Sequence, residues 1–302
     1  MKYFLRKSVL AKVPEIEISK EKYSEYKRAR KVLSNCFEIE EKYEILISTY
    51  LEFETQLLNA TAIKMVRPPL DYSDFFEFRL ALNIRLINFL TSARLYVDRM
   101  KGNVKECVPE LQDAKELVEA QFSKEYDEHP EYRFMEALRN YVQHRGLPVH
   151  WTSQESKWTD LEEDRFLEFS TELASLRSSF EEDKTFKRSI LEELDEKTDL
   201  KAAIRCYVES ISNVHAAARQ IIEKSVTAAR ELLEDAHKQY ASIHHGNLVA
   251  LSACVCAEGK QIESISLLLD WDNVRIKLKK RNPKATNLRK RYVTGKLKTD
   301  RK

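Results

Sequence analysis

Residues 136–148, which read EALRNYVQHRGLP, combine the end of a helix with three polar side chains that packing alone would not require. The apolar residues of this stretch recur at spacings of three and four, as on one face of a helix: Ala137, Leu138, Tyr141 and Val142. Gly146 suits the left-handed position just beyond a helix end, and Pro148 cannot continue a helix. The stretch therefore predicts a helix over about 130–145.

The three polar residues are Arg139, Asn140 and His144. Asn140 and His144 are four residues apart and share a helix face, and the long side chain of Arg139 can reach the same rim. A histidine in the last turn has its charged form favoured by the helix dipole. An arginine that binds phosphate beside such a histidine suits phosphodiester cleavage. Alternatively, the three residues cap the helix, and Arg139 pairs with Glu136.

The pattern Arg139-Asn140-x-x-x-His144 near a helix end resembles the motif of the HEPN superfamily, an Arg followed at a short spacing by a His. The resemblance covers the first half of the chain, to about Pro148. It implies a helical bundle, usually a homodimer, and often a metal-independent endoribonuclease of toxin–antitoxin or phage-defence systems. It also implies that the ribose 2′-OH attacks the phosphodiester, with His144 as general acid or base, Arg139 as phosphate clamp and Asn140 orienting one of them.

Two other functions are compatible with the same sequence. Some HEPN-like domains are non-catalytic modules that bind nucleotides or nucleic acids and regulate a partner. Some HEPN toxins carry a Tyr two residues after the motif His, where a partner modifies it, but here that position is Gly146. A helical scaffold that uses its basic end to bind nucleic acid is the third possibility.

Composition favours a helical chain outside the membrane. The chain has 302 residues, 43% hydrophobic and 33% charged, and its 5 Gly and 7 Pro leave room for long helices. It has no apolar run of about 18 residues and no signal-peptide pattern at its start. Its five cysteines are scattered, as expected for reduced thiols. These features predict a cytoplasmic protein without a membrane partner.

The predicted fold class is mainly α. Residues 1–148 are expected to form an antiparallel bundle, from helices over 19–66, 71–100, 108–126 and 130–145. Residues 149–302 are expected to form a smaller α+β region, with elements over 149–153, 165–169, 183–197, 200–240, 248–256, 262–269 and 271–281. The ranges 183–197, 200–240 and 271–281 are expected to be helices, and Asp199 starts the longest one. The ranges 149–153 and 165–169 are expected to be short strands, and 248–269 is a β-hairpin. The helix over 71–100 is apolar on more than one face, which favours a homodimer.

The C-terminal end is strongly basic. From Arg275 to Lys302 the chain has 13 Lys or Arg and one acidic residue, whereas the remainder is acidic. Such an end predicts a polyanionic partner, first of all RNA. The candidate nucleic-acid-binding residues are Lys279, Lys280, Arg281, Arg289, Lys290 and Arg291. The alternative is a solubilising tail.

No metal or cofactor is expected from the sequence. His244, His245, Cys254 and Cys256 lie near one another, but Cys-x-Cys is not the usual zinc spacing, and buried structural cysteines are the favoured interpretation. The chain also lacks a glycine-rich phosphate loop. An antitoxin or defence-system partner is implied only by the HEPN resemblance.

Overall fold

The computed structural model describes residues 1–9, 13–67, 71–159, 165–243, 248–258 and 260–295. Its regular elements, in chain order, are β1 (Lys2–Lys7), β2 (Ile16–Ile18), α1 (Lys20–Val66), α2 (Tyr72–Cys107), α3 (Ala114–Glu128), α4 (Pro130–His144), β3 (Trp151–Trp158), β4 (Leu167–Leu176), α5 (Ser178–Glu181), α6 (Arg188–Glu192), β5 (Lys197–Asp199), α7 (Leu200–Ala241), β6 (Leu251–Ala257), β7 (Lys260–Ser266) and α8 (Asp270–Arg281). The prediction of a mainly helical chain with little sheet is confirmed. No helix in the described part is both long and apolar enough to cross a membrane.

The chain divides into two compact units. The first comprises Met1–Leu46, Ser92–Gln121 and Val214–Pro283, and the second comprises Ile47–Thr91, Phe122–Asn213 and Lys284–Lys302. Both units draw on residues from either side of 148, so they divide the chain differently from the predicted domains 1–148 and 149–302. Helices α1, α2 and α7 each contribute residues to both units.

The first unit contains a four-stranded antiparallel sheet in the order β2-β1-β6-β7. The predicted hairpin over 248–269 is confirmed by the pairing of β6 with β7. Cys254 lies buried in β6 and Cys256 is partly exposed, both as free thiols. His244 and His245 lie outside the described residues, so the metal site considered for these four residues is not defined here.

A buried polar network occupies the helical core of the first unit. The carboxylate of Glu40 accepts hydrogen bonds from Arg219 at 2.8 and 2.6 Å and lies 3.4 Å from Nε2 of His215. The imidazole stacks on Tyr43 with ring centroids 3.8 Å apart, and its Nδ1 lies 2.8 Å from the hydroxyl of Tyr96. Burial would raise the pKa of Glu40, but these basic partners hold it at about 2. Burial lowers the pKa of His215.

The second unit contains a three-stranded antiparallel sheet in the order β3-β4-β5. The predicted strands around 149–153 and 165–169 are present as a longer hairpin. The helix predicted over 183–197 is wrong. The chain there forms the short helix α6 and then β5, which pairs with β4. Strand pairing and the stacking of Phe186 on Phe180, with centroids 4.6 Å apart, override the local preference for helix.

Helix α2 passes through the glycine at which it was expected to end. It continues beyond Gly102 to Cys107, because Val104 and Cys107 are fully buried and their burial outweighs the cost of a glycine in a helix, about 1 kcal/mol. The predicted helix starts at Asp71 and Asp199 are confirmed. Oδ1 of Asp71 accepts from the backbone N–H of Ser73, and Oδ1 of Asp199 accepts from that of Lys201.

We expect Gly102→Ala to stabilise the protein by about 0.5–1 kcal/mol, because alanine is the better helix former and limits the unfolded chain. A Cβ at position 102 would meet no atom within 4 Å. Gly146→Ala is the matched comparison, because a Cβ there would lie 2.5 Å from the hydroxyl of Tyr141. Urea unfolding should show opposite signs for the two variants. A destabilised Gly102→Ala would contradict a continuous helix α2.

Candidate functional site

The site predicted from the sequence lies on α4, in the second unit. The helix runs over Pro130–His144 with Pro130 in its first turn, as predicted. Its inner face is buried through Tyr132, Phe134, Met135 and Leu138. This apolar face fixes the rotation of the helix, and therefore decides which of the three motif residues are buried and which face outward.

Gly146 was predicted to take a left-handed backbone conformation, but the structure gives a different reason for a glycine at this position. Its backbone is not in the left-handed region. Instead the ring of Tyr141 folds back over it, leaving no room for a Cβ. That ring packs edge-on against Phe180 with centroids 4.9 Å apart, and its hydroxyl donates to the carbonyl oxygen of Ser179 at 3.4 Å. Close approach of an aromatic ring therefore selects glycine after this helix.

Arg139 is buried, with only 5% of its surface exposed. Its Nη1 donates to both carboxylate oxygens of Glu136, at 3.0 and 2.8 Å, and its Nη2 donates to Oδ1 of Asn140 at 3.3 Å. Its Nε makes no hydrogen bond among the described residues. The ion pair between Glu136 and Arg139, one of the two alternatives that the sequence allowed, is thus present. The positive charge that would bind phosphate is therefore already paired with a carboxylate.

Glu136 is held from a second side by Tyr207 of α7. The hydroxyl of Tyr207 donates to Oε1 of Glu136 at 2.5 Å. Burial, followed by the charge of Glu136, raises the pKa of Tyr207 well above its ordinary value. The phenol therefore remains a hydrogen-bond donor at physiological pH. Glu136, Arg139 and Tyr207 therefore form one hydrogen-bonded cluster beneath the outer face of α4.

Asn140 and His144 are exposed on that outer face. The side chain of His144 makes no hydrogen bond or ion pair with the described residues. The structure therefore separates the motif into a buried arginine and two exposed polar groups one turn apart.

A small pocket of about 170 Å³, with both polar and apolar walls, adjoins the motif. Its lining residues are Tyr126, Glu136, Ala137, Asn140, Tyr141, Asp183, Thr185, Phe186, Lys187 and Ile190. Oδ2 of Asp183 is buried without a hydrogen bond, and Oδ1 lies 3.5 Å from Nε of Arg145. Hydrogen bonds from Thr185 lower the pKa of Asp183. The pocket thus offers acceptors beside two cations, Arg145 and Lys187.

Sequence reasoning missed Asp183 and Lys187 of the pocket and the neighbouring Arg145. Arg145 follows the motif directly and could have been included for its charge alone. Asp183 and Lys187 lie about 40 residues further along the chain, in a segment predicted to be a solvated helix, and no spacing rule connects them with α4. Only the fold brings them to Asn140.

The six basic candidates do not form one surface in either unit. Lys279, Lys280 and Arg281 belong to the first unit, and Arg289, Lys290 and Arg291 to the second. Three of them already pair with acids, namely Lys279 with Glu223 at 2.7 Å, Arg281 with Glu44 at 2.6 Å and Arg289 with Glu131 at 2.9 Å. Lys280, Lys290 and Arg291 are exposed.

Arg275, the first residue of the basic end, is buried and paired with Asp272. It is therefore part of the core of the first unit, and its charge is not presented to an RNA.

Comparison of the chain with models of protein families, with curated proteins and with solved structures found no match.

Replacing Arg139 tests whether its ion pair with Glu136 stabilises the fold. We expect Arg139→Ala to lower the free energy of unfolding by about 2–4 kcal/mol, because Glu136 would keep a partly buried charge with only Tyr207 as partner. Arg94→Ala is the control, since Arg94 pairs with Asp98 at 2.6 Å while both side chains are nearly half exposed. That variant should lose only about 0.3–0.5 kcal/mol. Urea unfolding followed by circular dichroism measures both. Equal losses would mean that Arg139 is free to bind phosphate.

Proposed function

We propose that this protein is a metal-independent endoribonuclease of HEPN type, acting at the exposed end of α4. The observation that carries the proposal is the exposure of Asn140 and His144 on one helix face, with Asn140 lining a small pocket and Arg139 hydrogen-bonded to Asn140. An exposed imidazole that lies one turn from Asn140 and next to Arg145 in the chain suits acid–base cleavage of a phosphodiester.

The reaction assigns a separate task to each group. A base removes the proton of the ribose 2′-OH, whose oxygen attacks the phosphorus, and an acid donates a proton to the departing 5′-oxygen, leaving a cyclic phosphate. We assign His144 to one of these proton transfers. Asn140 orients the phosphate or the imidazole. We assign phosphate contact to Lys187, which lines the pocket, and to Arg145, which is half exposed, and Arg139 supports Asn140 through its hydrogen bond.

One copy of the motif supplies a single histidine, whereas cleavage uses both a base and an acid. We therefore propose a homodimer in which two motifs serve one reaction. Helix α2 offers an apolar surface for such contact. Its exposed large apolar residues in the second unit are Tyr72, Phe75, Phe76, Leu80 and Ile84. A continuous exposed apolar stripe of this kind is typical of a protein interface.

A non-catalytic nucleic-acid-binding module is the second candidate, and one observation favours it. The guanidinium of Arg139, which the HEPN resemblance assigns to phosphate, is occupied by Glu136. In that case the pocket would bind a nucleotide through Asn140, Arg145 and Lys187 without cleaving it. A toxin or defence partner would then recognise the protein with its nucleotide bound.

Cleavage of RNA in the presence of EDTA decides between the two candidates. We expect the purified protein to cut mixed RNA under these conditions, and we expect His144→Ala to reduce the rate by at least about 100-fold, the range typical of a lost general acid or base. Gln143→Ala is the control, because Gln143 is exposed and adjacent on the same helix but has no proposed role. Circular dichroism should show that both variants are folded.

Wild-type cleavage by a folded His144→Ala protein would remove His144 from the mechanism. Binding of RNA by the wild-type protein without cleavage, with or without added Mg²⁺, would favour the binding module.

The dimer is tested by charges on the apolar stripe of α2. We expect Leu80→Glu combined with Ile84→Glu to give a monomer at micromolar concentration and to lose cleavage, because both side chains lie four residues apart on the exposed face. Leu95→Glu is the control, since Leu95 is equally exposed on α2 but belongs to the first unit. Sedimentation velocity measures the oligomeric state. A wild-type monomer that cuts RNA at full rate would contradict the dimer.

A further inference from the structure

Three potential metal ligands meet at the start of α4, in the second unit. One ligand atom each of His129, Glu131 and Cys206 lies within 4.8 Å of the others. Sγ of Cys206 points at Oε2 of Glu131 from 3.7 Å away, as a thiol donating to a carboxylate. His129 directly precedes α4, Glu131 lies in its first turn, and Cys206 comes from α7. The sequence gives no hint of this group, because 75 residues separate Cys206 from Glu131.

A buried carboxylate stands behind the histidine. Oε2 of Glu125 lies 3.5 Å from Nε2 of His129, yet it makes no hydrogen bond among the described residues. Glu125 is only 6% exposed, so this oxygen is shielded from water as well. A buried carboxylate oxygen without a hydrogen bond is costly, so a cation bound by the neighbouring imidazole would stabilise it. Zinc-bound histidines commonly have such a carboxylate on their second ring nitrogen.

We propose that His129, Glu131 and Cys206 bind a zinc ion, with Glu125 orienting the imidazole. The ion would take the place of the thiol proton between Sγ of Cys206 and Oε2 of Glu131, and that proton would leave to solvent. Oε1 of Glu131 would keep its 2.9 Å contact with Arg289, because the two carboxylate oxygens face different partners. Three protein ligands leave one tetrahedral position for water.

The ligand types select the metal. Thiolate and imidazole suit zinc, whereas Mg²⁺ and Ca²⁺ prefer sites made of oxygen atoms. Ligand atoms around one zinc ion stand roughly 3–4 Å apart, because each lies about 2.0–2.3 Å from the metal. The present group needs to contract only slightly to reach these distances. His129 and Glu131 are half-exposed, which gives the ion a path to the buried thiol.

Binding would join the beginning of α4 to α7. Asn140 and His144 lie on the same helix, so zinc would rigidify the element that carries the proposed site without contacting it. This link between the two helices does not use the open coordination position, and it differs from the proposed cleavage, which needs no metal.

The test is titration of metal-free, full-length protein with Zn²⁺ against a chromogenic chelator, and separately with Co²⁺. We expect one ion per chain and, for Co²⁺, a thiolate-to-cobalt charge-transfer band in the near ultraviolet. Cys206→Ser and His129→Ala should each weaken binding by at least about 100-fold, and Glu125→Gln by about 10–100-fold, as for other supporting carboxylates. Cys256→Ser is the control, because that cysteine lies in the other unit.

Three outcomes would overturn the site. These are no saturable binding of either ion, unchanged binding by a folded His129→Ala protein, and loss of the charge-transfer band only in Cys256→Ser. His129→Ala keeps the test valid if the buried Cys206→Ser fails to fold, since His129 is half-exposed. The two proposals can fail separately, because the titration measures metal binding and the EDTA assay measures RNA cleavage.

Discussion

The proposed site depends on the interactions of the Glu136 carboxylate with Arg139 and Tyr207. The carboxylate accepts two hydrogen bonds from Arg139 and one from Tyr207, all in a largely buried setting. A partly buried charge is costly unless its partners stay in place, so this group resists rotation of α4 about its axis. Because Arg139 is held inward, Asn140 and His144 must face outward. The exposure of the polar pair thus follows from the apolar inner face of α4 and from the buried ion pair one turn earlier.

In the first unit, buried carboxylates are likewise paired with basic side chains. Glu40 is matched by Arg219 and His215, and Asp272 is matched by Arg275 and Arg230. Long helices with apolar residues on several sides can slide or rotate at small cost, whereas a buried charge has only one position in which its partner is within reach. We infer that these pairs help to specify the alignment of the helices.

Periodicity and capping chemistry predicted most helices, because both are local. The starts at Asp71 and Asp199 and the span of α4 depend on neighbours within four residues. The errors occurred where distant residues decide the outcome. Burial of Val104 and Cys107 carries α2 through Gly102, and pairing with β4 replaces the expected helix over 183–197 by β5. For the site, the Glu136–Arg139 pair was foreseeable from its spacing of three, but its burial required Tyr207 of α7.

The neutralised Arg139 also limits the chemistry available at the end of α4. A helix C-terminus presents carbonyl oxygens, which repel a phosphate. An incoming phosphodiester therefore needs a cation from outside the helix backbone. Arg145 is suited to this, because half of its side chain is exposed and its contact with Asp183 is long, at 3.5 Å. If a phosphate draws Arg145 away, Oδ1 of Asp183 keeps its two hydrogen bonds from Thr185. Substrate binding would therefore break only the long contact between Arg145 and Asp183.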